Sequence, residues 1–130
     1  MLRLLTALLL ALCVAAGPAH AQADAGSAAP AAPYDRDLQR LAEILGALHF
    51  LRGICGANEG QKWRNEAQAL IDAEAPAGAR REQMVQSFNR GYRGFQQSYR
   101  TCTPAANVAI RRYLQEGAKI AREITARYAN

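Results

Sequence analysis

The sequence predicts an all-α fold, a small four-helix bundle-like domain closed by one disulfide. Three observations predict it. Apolar residues recur at intervals of three and four in four successive segments, and no stretch alternates in the manner of a strand. The links between those segments are short, which favours antiparallel neighbours. Two cysteines, Cys55 and Cys102, each end an apolar stripe on what that topology makes the same side of the bundle. A chain of 130 residues has room for one such domain and little more.

The first residues read as an export signal. Arg3 supplies a positive charge, and residues 4–16 form an apolar run of signal-peptide length that Gly17 and Pro18 break. Ala19-His20-Ala21 puts small residues at both positions a signal peptidase reads, so residues 1–21 are expected to be removed, with cleavage after Ala23 the second choice. A membrane anchor is the alternative, but the run is shorter than the ~20 residues a spanning helix needs. A lipoprotein through Cys13 fits less well, because Leu12 stands where a small residue is wanted. After cleavage, 15 basic and 11 acidic side chains leave a charge of +4, with one histidine, His49, and two cysteines. In an exported chain, two cysteines read as one disulfide. Residues 22–33, small and polar with two prolines, form a flexible linker that cannot bury enough surface to order itself. The folded domain is then 34–130, about 97 residues, small enough for a crosslink to matter.

In the first helix, Leu38, Leu41, Leu45, Leu48 and Cys55 make the stripe, widened by Ile44 and Leu51 and interrupted by Arg52. Asp35 or Asp37 is expected to cap its start and Gly56 to end it. The second runs over about residues 61–74, with Trp63, Ala67, Leu70 and Ile71 on one side. It stops at Ala75-Pro76, since the residue before proline avoids helical angles. The third covers about residues 79–101, with Val85, Phe88, Tyr92, Phe95, Tyr99 and Cys102 in three-four alternation. Gly91 and Gly94 weaken it by ~1 kcal/mol each, which implies that another backbone comes close on that side. The fourth starts on Thr103 as cap with Pro104 in the first turn. Ile110, Leu114 or Tyr113, Gly117, Ala121, Ile124 and Tyr128 carry its stripe. An up-down-up-down path makes helices one and three parallel. A connection as short as residues 102–103 raises the alternative of a sharp elbow before the last helix.

Charge is uneven. Residues 34–79 carry five basic and seven acidic side chains, and residues 80–130 carry ten and three. Arg90, Arg93, Gln97 and Arg100 recur at helical spacing on the third helix, away from the apolar stripe. Arg112, Gln115, Lys119 and Arg122 do so on the fourth. Arginine grips carboxylate and phosphate through two parallel bonds. Arg90, Arg93, Gln97, Arg100 and Arg112 are therefore the candidate binding residues for an anion, the alternative being a solvated face partly paired with the acids of helices one and two. Charge alone would admit nucleic acid, but export argues against it.

Catalytic machinery is scarce, and no catalytic residue is assigned. His49 stands alone in an aliphatic stretch and reads as a packed or surface residue. No Gly-x-Ser-x-Gly elbow or glycine-rich phosphate loop occurs, and one histidine with two bonded cysteines is too few ligands for a metal site. No metal or cofactor is expected. Glu59 or Glu66, near Trp63, would have to act as general acid in any glycan-cleaving reading. Trp63, Tyr92 and Tyr99 read as core or rim rings before they read as sugar platforms.

The segments GQKWRNEAQALIDAEAP (60–76) and FNRGYRGFQQSYRTCTPAANVAIRRYLQEG (88–117) resemble a family of small exported alphaproteobacterial periplasmic proteins of unknown function, each a helical domain with two well-separated cysteines. The likeness spans about residues 34–130, and the two family cysteines fall on Cys55 and Cys102. It implies a periplasmic location, no assigned enzyme activity and, through relatives associated with envelope growth, an envelope role. The expectation is a non-enzymatic periplasmic module. It would bind a cell-envelope component, peptidoglycan or a partner protein, through its Arg-rich face. The alternative is an interaction subunit using an exposed aromatic or apolar patch. No membrane insertion is expected after cleavage, and the oligomeric state is left open.

Overall fold

A computed structural model describes residues 30–129. The expected signal segment 1–21 and most of the linker 22–33 lie outside the described residues. Four helices follow in order: α1 (Asp35–Ile54), α2 (Lys62–Glu74), α3 (Gly78–Ser98) and α4 (Pro104–Tyr128). Among the described residues there is no strand, and no helix is long and apolar enough to cross a membrane.

The sequence gives α1 a stripe, but the structure buries it on nearly every side. Ala42, Gly46 and Ala47 are buried along with Leu38, Ile44, Leu45, Leu48 and Leu51. The reason is that α2, α3 and α4 all pack on α1, whose middle run, Ile44 to Leu48, is apolar on every side. Pairs at rising positions show that α1 and α3 run parallel: Asp35 with Arg80, Gln39 with Gln83, Cys55 with Cys102. Against α4 the order reverses, from Tyr34–Tyr128 through Arg40–Glu116 to Cys55–Cys102. The up-down-up-down path is therefore present.

Two apolar clusters fill the interior. Ile44, Leu48 and Leu51 of α1 meet Ala106, Ile110 and Ile120 of α4, with Trp63, Phe95 and Tyr113 packed around them. Leu38 and Ala42 meet Ile71, Ala75 and Met84 at the other end. On α4 the choice between Leu114 and Tyr113 falls to Tyr113, since Leu114 is exposed. Ile120 takes the place expected of Ala121.

The α1–α3 contact is made by small residues. A methyl group built on Gly46 would run into the Phe88 carbonyl, and one on Gly91 into the Glu43 carbonyl. The buried row of α3 is thus Met84, Ser87 and Gly91, one position off the expected row. Val85, expected inside, is exposed, and Phe88, Tyr92 and Phe95 flank the contact half-buried. Short side chains let the backbones approach, and the rings that form the obvious stripe are displaced to either side. Gly94 has open space where its side chain would be, so the close approach inferred for both glycines holds for Gly91 alone.

Several helix ends follow the expected chemistry. Gly56 ends α1 with φ of 74°, the left-handed conformation that glycine adopts without penalty. Thr103 caps α4 by accepting from the Ala106 N–H at 3.1 Å, with Pro104 next. The cap expected of Asp35 or Asp37 is not made. Tyr34 holds the N-cap position, and both acids lie in the first turn, where their charge complements the helix dipole. Asp35 instead accepts from Ala32 N–H at 2.9 Å and pairs with Arg80.

The third helix stops at Ser98, earlier than expected. Ser98 Oγ bonds the Gly94 carbonyl at 3.1 Å, a local bond that competes with the helical ladder, and Tyr99 is already extended. The link to α4 is then residues 99–103, long enough to cross the end of α1 without an elbow. Arg100 lies in this link and not on a helix face. Within it, Cys102 joins Cys55 at the end of α1, with a Cα–Cα distance of 4.7 Å.

Candidate functional site

The five candidate binding residues are not gathered into one site. Arg90, Arg93 and Gln97 line a shallow groove along the outer side of α3, together with Gln86, Asn89 and Gly94. Arg112 lies in a second groove between the end of α3 and the start of α4, with Phe95, Tyr99 and Tyr113, Val108, and Arg40. Arg100 lines neither groove. What the five share is exposure.

Four arginines outside this set are held in ion pairs, while Arg36, Arg64, Arg111, Arg122 and Arg127 have no acidic partner among the described residues. Arg52 makes a two-bond pair with Glu59 at 2.7 and 2.9 Å, Arg80 pairs with Asp35, and Arg81 with Asp72. Arg40 forks onto Glu116 at 2.7 and 3.0 Å, which keeps that guanidinium charged and holds the Glu116 carboxyl below its ordinary range. Arg90 is engaged loosely, donating to Ser87 Oγ at 3.1 Å and lying 3.8 Å from Glu43. Arg93, Arg100 and Arg112 have no acidic partner among the described residues. Asp35, Glu59, Asp72 and Glu116 thus neutralise Arg80, Arg52, Arg81 and Arg40 and leave Arg93, Arg100 and Arg112 open.

Glu59 is fixed in a role opposite to that of a general acid. Besides the Arg52 fork it accepts from Trp63 Nε1 at 2.8 Å. These bonds hold its carboxyl at about 2, against an ordinary 4.5, whereas an acid catalyst needs a raised value. Glu66 is exposed on α2. Trp63, half-buried and packed on the α1–α4 cluster, serves the core. Since Glu59 is depressed in the folded state, its stabilisation is present above pH 4.5 and is lost as pH falls toward about 2. Glu59→Gln is expected to flatten the acid-unfolding curve in that window, as followed by circular dichroism against pH.

A third groove was not foreseen from the sequence. It lies over α1 between α2 and α3, with a volume of about 360 Å³, and it includes His49, Arg64, Gln68, Val85, Asn89 and Tyr92. Taken singly, His49 reads as a packed or surface residue and Tyr92 as a core or rim ring. Their meeting with Arg64 needs three helices in place. The one available signal was a histidine in an otherwise aliphatic stretch.

The family model described as "Protein of unknown function (DUF2385)" matches residues 33–128. Comparison with curated proteins gives no significant match. Comparison with solved structures gives none either.

Proposed function

The chain belongs to the DUF2385 family of proteins of unknown function, and we propose that it acts there as a non-enzymatic, exported helical module that docks an anionic component of the cell envelope. The carrying observation is the set of arginines on the α3–α4 side that lack acidic partners, Arg93 and Arg112 above all, each bordering a groove. Residues 1–21 would direct the chain to the periplasm of an alphaproteobacterium, where the two family cysteines meet oxidising conditions. Peptidoglycan carboxylates are, with lipid head groups and acidic proteins, the anions such a surface would meet there. Bidentate guanidinium contacts supply recognition, and Gln97 adds a directional donor beside Arg93.

The test is retention on isolated sacculi at low and high salt. The full chain is expected to be retained at low salt and released at high salt, since exposed charges are screened over about 3 Å at 1 M. Arg93→Gln with Arg112→Gln is expected to abolish most of the low-salt retention. Equal and negligible retention at both salts would remove the peptidoglycan reading.

A protein-interaction subunit is the second reading. The specific observation behind it is the α3–α4 groove, where Tyr99 and Tyr113 are half-buried and Val108 is 46% exposed. In that case substitutions at Val108 and Tyr99 would weaken partner binding while Arg93→Gln would not.

A further inference from the structure

The groove over α1 between α2 and α3 has the chemistry of a small-ligand site, and it shares only Asn89 with the arginine-lined groove of α3. Its volume of about 360 Å³ lies in the range of small-molecule sites, roughly 300–1,000 Å³. The imidazole of His49 sits between two rings, with centroids 5.9 Å from Phe88 and 5.5 Å from Tyr92. Its Nδ1 is buried without a hydrogen-bond partner. Buried polar atoms are rarely left so, and with Nδ1 enclosed, Nε2 is the ring atom available to a ligand.

The charges around the groove have one sign. Arg64 is exposed on α2 and has no ion-pair partner among the described residues. No aspartate or glutamate lines the groove. Arg64 from α2 and Tyr92 from α3 are the titratable groups that share the groove with His49. Asn89 adds an amide donor, while the Gln68 amide already donates to Asp72 Oδ1 at 2.9 Å, a carboxylate that Arg81 neutralises outside the groove lining. Val85, 39% exposed and useless to the core, gives the groove an aliphatic wall beside Phe88 and Ile71.

We propose that this groove binds a small monocarboxylate with an apolar body. Its carboxylate would be forked by Arg64 and would accept from His49 Nε2, and its apolar part would lie against Val85 and Phe88. The empty groove penalises a charged imidazole: burial lowers the His49 pKa, and the Arg64 charge lowers it further. A bound carboxylate cancels the Arg64 field and adds an opposite charge next to the ring, so binding is coupled to proton uptake at His49. Ligand affinity therefore rises as pH falls toward the His49 titration.

The test uses N-acetyl-leucine as probe and its amide, which has the same body without the charge, as control. The His49 ring signals are followed by NMR in the full chain carrying His20→Gln, which leaves His49 as the sole imidazole. N-acetyl-leucine at millimolar concentration is expected to shift the ring signals saturably and to raise the His49 midpoint by about one pH unit. The amide should do neither. Arg64→Gln, at an exposed position that leaves the fold intact, should weaken binding about tenfold, while Arg93→Gln outside the groove should not. The proposal is overturned if the amide shifts His49 as the acid does, if the response survives Arg64→Gln, or if no saturable response occurs. Sacculus retention depends on Arg93 and Arg112, so either result leaves the other standing.

Discussion

Gly46→Ala and Gly91→Ala each lower the stability of the folded domain by about 3 kcal/mol, whereas Gly94→Ala raises it. The first two methyl groups would meet backbone carbonyls of the facing helix, those of Phe88 and Glu43, with the Tyr92 and Ala47 backbone nitrogens only 3.1 and 3.0 Å away. Backbone cannot rotate aside as a side chain can, so α1 and α3 must separate. Overpacking of this kind costs about 1–3 kcal/mol and sometimes more. Separation also opens Ser87 and Ala47, buried in the same contact. The gain in helix propensity from replacing glycine, about 1 kcal/mol, offsets only part of this. At Gly94 there is nothing within reach of the added methyl, and the propensity gain stands alone. Thermal unfolding of the oxidised chain reads the difference. For a domain of this size about 3 kcal/mol corresponds to a fall in Tm of at least about 12 °C, and the Gly94 gain to a rise of a few degrees. Equal midpoints for Gly91→Ala and Gly94→Ala would show that the backbones do not cross where the structure places them.

These glycines also show what was legible in the sequence. Local signals were readable because each acts on its own or the adjacent backbone: Thr103-Pro104 starts α4, Ala75-Pro76 stops α2, and Gly56 turns left-handed after α1. The parallel pairing of α1 and α3 was readable because short links leave few paths. The face of α3 was not. Val85, Phe88 and Tyr92 form the more apolar row, but Ser87 and Gly91, one position away, are the residues small enough for a close crossing. Hydrophobicity ranks the rings first, and the geometry of two touching backbones ranks size first. Arginine pairing was unreadable for a different reason. Arg40 finds Glu116 across 76 positions, and nothing local to either residue distinguishes it from Arg112, which shares its groove and has no acidic partner among the described residues. The His49 groove likewise exists only where three helices converge.

Breaking the Cys55–Cys102 bond has the other large effect. The bond closes a loop of 47 positions, and removing that constraint from the unfolded chain costs about 4 kcal/mol of stability on the chain-entropy model. A domain of about 100 residues has roughly 5–15 kcal/mol in total, so the fraction at stake is large. The location adds to it. α4 packs on α1, and its first buried residues, Ala106 and Ile110, follow Cys102 closely. The bond therefore holds the start of α4 against the end of α1, where the Leu51 cluster is assembled. Cys55→Ser with Cys102→Ser is expected to lower Tm by roughly 20 °C, and dithiothreitol should lower the midpoint of the native chain by a similar amount while leaving the double variant unchanged. In a reducing compartment the chain would carry the same deficit. The prediction fails if Cys55 and Cys102 react as free thiols in the native chain unfolded without reductant, or if reductant leaves its midpoint where it was.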